Sequence, residues 1–210
     1  MDARVEQEEL SGKRARAKAA NRQAILEAAR QVFARMGADA ATVRDIIRET
    51  DLAAGTFYNY FRSKEEVFEA LANEGVQRFR SRLASVRARA TSLEAYLKAA
   101  YSAYFEFLNE ENEEAIERGA PHAAMIGVRV DTPEMHAVFE EIRADFEHVA
   151  QSSGLSLSDS GFLTAAAIGI AREVGDHMLR RRPVDTAGAV EFATQLFMNG
   201  AGTLATTRKK

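Results

Sequence analysis

The chain contains no cysteine, which removes disulfides, thiol nucleophiles and thiolate metal ligands together and suits a reducing compartment. Only three prolines interrupt its 210 residues, so long helices can run unbroken. Runs of β-branched residues are few, which argues against a sheet-based core. No apolar stretch reaches the length of a membrane span, and the charged N-terminus lacks the apolar core of a secretory signal. A soluble, cytoplasmic protein with no membrane partner is therefore expected. There is no nucleophile–base set, phosphate loop or paired-carboxylate motif, so neither an enzyme nor a cofactor is expected. Four histidines, His122, His136, His148 and His177, invite a metal-sensor reading. No two of them lie three or four residues apart, and the expectation is no metal site.

What is present reads as helix. Hydrophobic residues make up 46% of the chain, enough for a sizeable core, and long Ala/Leu/Glu/Arg tracts favour an all-α fold of about nine helices. The net charge of −3 does not by itself suggest a nucleic-acid partner, but its distribution does. Between Leu10 and Lys64 there are eleven Lys/Arg against five Asp/Glu; from Glu65 onward there are sixteen against twenty-two. A basic head on an acidic body is expected when only the head meets phosphates.

Residues 1–18 are polar, have no apolar face and end in Lys13, Arg14, Arg16 and Lys18. They read as a flexible basic arm, either merely solvated or reaching a DNA backbone or minor groove. A first helix is expected from about Ala20 to Met36, because Ile25, Ala28, Ala29, Val32, Phe33 and Met36 recur at helical spacing before Gly37. Thr42 and Asp45 resemble a capping pair, opening a short helix to Thr50 with Val43, Ile46 and Ile47 inward. Another short helix follows from about Ala53 to Tyr60. Ser63 and Glu66 form a capping box for a helix reaching Arg89, with Val67, Leu71, Gly75, Phe79 and Leu83 on its inner stripe.

Two short helices across a tight turn, flanked by longer ones, form a helix-turn-helix over residues 19–64, whose second short helix enters the major groove. That segment reads Leu52-Ala-Ala-Gly-Thr-Phe-Tyr-Asn-Tyr-Phe61. Small residues at its start allow close approach to DNA, and Phe57 and Phe61 anchor it inward. With Arg62-Ser-Lys64 and Glu65-Glu66 after it, and Ile46-Ile47 before, the stretch from Thr42 to Glu66 resembles the DNA-binding head of the TetR family of bacterial regulators. At motif level the resemblance covers about residues 20–70.

That resemblance implies phosphate contacts at Thr42, Thr56, Tyr60 and Lys64. It implies approach to bases at Arg44, Ala54, Gly55 and Asn59, and a backbone or thymine-methyl contact at Tyr58. A guanidinium can grip guanine O6 and N7 together, so Arg44 is the best candidate for direct readout; the alternative is a solvated surface arginine.

The remainder, 65–210, is expected to be a helical ligand-binding and dimerisation body. Helices are expected over about 92–109, 133–152, 158–181 and 185–205, with an acidic stretch at 110–117, a break at Gly119-Ala-Pro121 and a Ser/Gly loop at 152–159. The last two helices are rich in Ala and Gly, which suits a four-helix homodimer seam. Arg172 and Asp176, like Glu173 and His177, can pair along one helix face. Their charges read either as ion pairs at the dimer edge or as anchors at one end of a cavity. The aromatic stripe of the middle helices reads as core, while the resemblance implies a cavity for an inducer there. Tyr101, Tyr104, Phe105, Met125, Phe139, Phe162, Arg172 and Asp176 are its candidate lining, and an apolar or amphipathic small molecule of unknown identity is the expected ligand.

The leading functional expectation is a ligand-responsive transcriptional regulator that binds a palindromic double-stranded DNA operator as a homodimer, a repressor in the first place, with an activator not separable by sequence. The competing expectation is a helical interaction protein that uses DNA as a scaffold and meets a protein partner through the acidic surface at 110–117.

Overall fold

The computed structural model describes residues 3–87, 89–117, 132–152, 155–156, 159–204 and 206–207. Among these residues lie eight helices: α1 (Ala3–Met36), α2 (Val43–Arg48), α3 (Ala54–Phe57), α4 (Lys64–Arg87), α5 (Leu93–Glu117), α6 (Pro133–Ser152), α7 (Ser160–Leu179) and α8 (Thr186–Leu204). Two two-residue strands, β1 (Leu155–Ser156) and β2 (Thr206–Thr207), pair antiparallel, the first of them inside the expected Ser/Gly loop. The all-α expectation holds, with eight helices among the described residues where about nine were expected for the whole chain. The break at Gly119-Ala-Pro121 and the candidate ligand residue Met125 lie outside the described residues.

α1 begins at Ala3, well before Ala20. The basic segment is thus the first half of a helix and not a flexible arm. Residues 3–18 lack an apolar face, but Ala, Glu, Gln, Arg and Lys all have high helix propensity. Extending a helix already anchored from Asn21 onward also requires no new nucleation. Gly37, at φ 81°, stops the helix in the left-handed conformation, and its N–H donates to the Phe33 carbonyl at 2.8 Å.

The head closes around Ile25, Leu26, Val32 and Phe33 of α1, Ile46 of α2, Phe57 of α3, Phe61, and Val67 and Leu71 of α4. Met36, expected inward, is exposed. α3 is a single turn, shorter than the sequence suggested, and it continues as turns through Tyr60. Its position is fixed by the burial of Phe57 and Phe61, whose rings lie 6.1 Å apart.

α4 belongs to both halves of the molecule. Its first turns complete the head, and its later turns, with Val76 and Leu83, pack on Val138 of α6. Arginines tie it to both neighbours: Arg78 pairs with Glu111 at 2.7 Å, Arg82 with Glu110, Arg80 with Glu141, and Arg87 with Asp145 at 2.6 Å. α5 runs through the acidic stretch to Glu117. Two of the acids proposed for a protein-partner surface, Glu110 and Glu111, are therefore engaged by α4.

The body core centres on α5, whose Tyr96, Leu97, Tyr101, Phe105 and Leu108 meet Phe146 of α6, Leu163 and Met178 of α7, and Ala193 and Phe197 of α8. Gly175 permits close approach of α7. A Cβ there would stand 2.6 Å from Leu108 Cδ1 and 3.4 Å from the Phe105 ring.

Candidate functional site

The first site is the face made by α2, α3 and the turn after it. Thr42 caps α2: its hydroxyl donates to Asp45 Oδ2 at 2.6 Å, its N–H donates to the same oxygen at 3.0 Å, and Asp45 N–H returns the bond to Thr42 Oγ1 at 3.3 Å. These donors hold the Asp45 carboxyl below the usual carboxylate range. The cap is intact at neutral pH and is lost as pH falls through the lowered value. Arg44, one residue into α2, is exposed, and no hydrogen bond or ion pair engages it among the described residues. On α3, Ala54 and Gly55 are exposed, and Ala53 at the N-cap offers no side-chain acceptor for the turn's first N–H groups. A Cβ on Gly55 would meet nothing within 4 Å, so nothing inside the chain demands glycine there.

Tyr58, 62% exposed, and Asn59 stand outward, while Thr56 is half-buried. Tyr60 is half-buried too, and its hydroxyl accepts from Asn21 Nδ2 at 3.3 Å. Asn21 was not singled out from the sequence, since a polar residue on the first helix gives no local sign of a partner 39 positions away.

Lys64, for which the family resemblance implies a phosphate contact, is engaged within the chain. Its ammonium donates to the carbonyls of Ala38, Asp39 and Ala41 at 2.8, 2.9 and 2.9 Å. All three of its donors are committed to the loop between α1 and α2. Lys64→Ala is accordingly expected to lower the stability of the head by about 1–3 kcal/mol and to leave the salt dependence of DNA binding unchanged. Thermal unfolding and an affinity-versus-salt series check this. A salt slope reduced by about one with unchanged stability would restore the direct phosphate role.

The second site is an apolar cavity of about 170 Å³ between α4, α5, α6 and α7. Of the candidate ligand residues, Tyr101, Tyr104 and Phe139 line it, joined by Phe79, Tyr96, Phe107, Met135, His136 and Ile142. The other described candidates lie elsewhere because helix phase turns them away. Phe105 stacks on Tyr101 with ring centroids 6.0 Å apart, but it packs toward Gly175 of α7. Phe162 is 79% exposed, since the Asp159 cap sets a phase in which Leu163 and Thr164 point inward. Arg172 is exposed and bonds its neighbour Glu173 at 3.0 Å, and neither it nor Asp176 borders the cavity.

At one end of the cavity a chain of bonds, buried at Tyr96 and Asp145, crosses to the partly exposed Arg87 of α4. The Tyr96 hydroxyl donates to Asp145 Oδ2 at 2.9 Å, and Arg87 Nε donates to Asp145 Oδ1 at 2.6 Å. Burial, reinforced by the Asp145 charge, pushes the Tyr96 phenol well above its ordinary range, so it stays a donor. Burial does the same for Tyr101, whose hydroxyl donates to the Ala167 carbonyl at 3.3 Å.

A third feature is an uncovered apolar face. Phe162, Ala165, Ala166 and Gly169 share one side of α7, and Phe192 and Leu196 share one side of α8 at 58% and 50% exposure. A Cβ at Gly169 or Gly200 would meet nothing within 4 Å. No described helix is long and apolar enough to cross a membrane.

Residues 25–71 match the family model described as bacterial regulatory proteins, tetR family. A 60-residue stretch is 42% identical to the HTH-type transcriptional repressor Rv1474c of Mycobacterium tuberculosis, covering 29% of this chain and 32% of that protein. The chain thus spans about a third of that relative's length. The HTH-type transcriptional activator FasR of Mycolicibacterium smegmatis aligns over 190 residues at 24% identity, covering 88% of this chain and 84% of that one. The crystal structure of the transcriptional regulator FadR from Bacillus subtilis in complex with stearoyl-CoA superimposes with a TM-score of 0.65 at 19% identity, over 85% of this chain and 98% of that one. This last likeness establishes a shared fold.

Proposed function

The chain belongs to the TetR family of bacterial regulatory proteins, and from that premise we propose that it is a ligand-responsive transcriptional repressor, acting as a homodimer on a palindromic operator. One observation carries the link between ligand and DNA. The same helix, α4, supplies Val67 and Leu71 to the head core and Gly75, Val76, Phe79 and Leu83 to the cavity wall. At about 170 Å³ the cavity falls short of the roughly 300–1,000 Å³ of a drug-sized site. A ligand of that size has to push the wall apart, and α4 is part of the wall. Such a ligand binds the displaced arrangement better than the resting one, which is the differential affinity a switch requires. The apolar, aromatic lining suits an apolar or amphipathic inducer, and the stearoyl-CoA held by the Bacillus subtilis FadR makes a fatty acyl compound the first class to try.

Arg44, exposed and with no hydrogen bond or ion pair among the described residues, is the direct reader in this reading. The uncovered face of α7 and α8 is its dimer seam, and cytoplasmic residence follows from the DNA partner. Arg44→Ala is expected to cost about 1–3 kcal/mol per head and to relax preference at one base position. Titration against the operator checks this; a loss of less than about twofold would remove Arg44 from the interface.

A further inference from the structure

Lys13, Arg14, Arg16 and Lys18 are all exposed, but they do not share a face. On a helix of 3.6 residues per turn, Arg14 and Lys18 are one turn apart and in line with Asn21, Arg22 and Ile25. Lys13 and Arg16 lie on the far side. The direction of the first row is fixed by contacts. Ile25 is buried in the head core, Asn21 bonds the Tyr60 hydroxyl, and the Arg22 guanidinium lies 5.3 Å from the centroid of the Phe61 ring. Tyr60 and Phe61 are the end of the segment that begins with α3. Continued toward the N-terminus, the row that touches this segment becomes Lys18 and then Arg14. Neither has a hydrogen bond or ion pair among the described residues. Arg16, by contrast, bonds back to the Gly12 carbonyl at 3.4 Å.

From this we infer that the N-terminal half of α1 is a helical rail for duplex DNA. Arg14 and Lys18 contact backbone phosphates next to the half-site covered by α2 and α3, while Lys13 and Arg16 face solvent. The inference rests on the DNA-binding reading above. From Arg14 to Arg22 the helix rises about 12 Å, the axial length of three to four phosphates on one strand, so two successive cations can each meet a separate phosphate. The rail reads no sequence; it adds affinity, salt dependence and register. Charge complementarity and continuity with the Tyr60–Phe61 segment both favour DNA as the occupant.

The test compares two double variants that remove equal charge from the same two turns of the full-length protein, Arg14→Ala/Lys18→Ala and Lys13→Ala/Arg16→Ala. The probe is a fluorescein-labelled duplex bearing the sequence that the wild-type protein selects from a random pool, with ten base pairs of flank on each side. Alanine preserves helix propensity, and circular dichroism confirms equal helix content. Affinity is measured between 50 and 200 mM salt. For Arg14→Ala/Lys18→Ala the salt slope is expected to flatten by about 0.9 per lost phosphate contact, close to 1.8 per bound chain. The disadvantage of this variant relative to wild type then shrinks about tenfold per bound chain across that range, and about a hundredfold for a dimer with both heads engaged. The Lys13→Ala/Arg16→Ala slope is expected to stay at the wild-type value. Equal flattening in both variants would show only a diffuse charge effect and overturn the rail, as would no flattening in either. If the wild type selects no duplex at all, the DNA-binding reading fails first and takes the rail with it.

Discussion

Phe57→Ala is expected to abolish operator binding while leaving the body folded. Phe57 is fully buried, its ring 5.3 Å from Tyr58 and 6.1 Å from Phe61, and it is the only residue of the four-residue α3 that is buried. Truncating a buried phenylalanine costs about 3–5 kcal/mol. Here the loss falls on a small head whose third element keeps only Phe61, beyond its end, as an anchor. α3 would detach from α1 and α4, taking Ala54, Gly55 and Tyr58 out of register with Arg44. The body core around Tyr96, Phe105 and Phe146 shares no residue with the head core, so it should not feel the change. Calorimetry should show an early head transition beside a body transition close to that of wild type, with an unchanged hydrodynamic radius. Full operator affinity in this variant would mean that α3 is not positioned through its aromatic anchor.

Asp145→Ala has the second largest expected effect, and it falls on the body. It strands the buried Tyr96 hydroxyl and releases Arg87 from its contact at 2.6 Å. Breaking a fully buried pair costs about 3–5 kcal/mol. The side chain of Arg87 is 42% exposed, and water compensates part of its loss, which brings the expectation to about 2–3 kcal/mol. That is a fall of roughly 4–12 °C in the body transition for a chain of this size. Asp145→Asn keeps an acceptor for Tyr96 and should recover part of the loss. Because Arg87 sits on α4, both variants should also change operator affinity in the absence of ligand. A lowered transition with unaltered operator affinity would show that this end of α4 is not coupled to the head.

The head was legible because its signals are local. The Thr42–Asp45 cap, Gly37 in the left-handed conformation and the Phe57/Phe61 spacing each act within four residues of chain, and each appears as expected. The bonds of Lys64 were not legible, because its three acceptors lie 23 to 26 positions earlier, in a loop whose carbonyls leave no mark in the sequence. The start of α1 was missed for a different reason. Residues 3–18 carry no apolar stripe, and their helix rests on propensity and on continuity with the anchored part. In the body, an aromatic stripe marks a helix face but not which neighbour it meets. Tyr101 and Tyr104 reach the cavity, yet Phe105, one residue on, turns toward Gly175, and Phe162 faces outward with Phe192 and Leu196. Tyr96, Asp145 and Arg87 come from three helices, and no short spacing joins them.

In the proposed function, paired heads of this chain read duplex DNA. Selection from a pool of random duplexes by the full-length wild-type protein tests it most directly. The expected result is an enriched inverted repeat, with half-sites whose centres lie about one helical turn, roughly 34–36 Å, or a multiple of it apart. A pool that remains unenriched after successive rounds, or a single half-site with no symmetric partner, would contradict it.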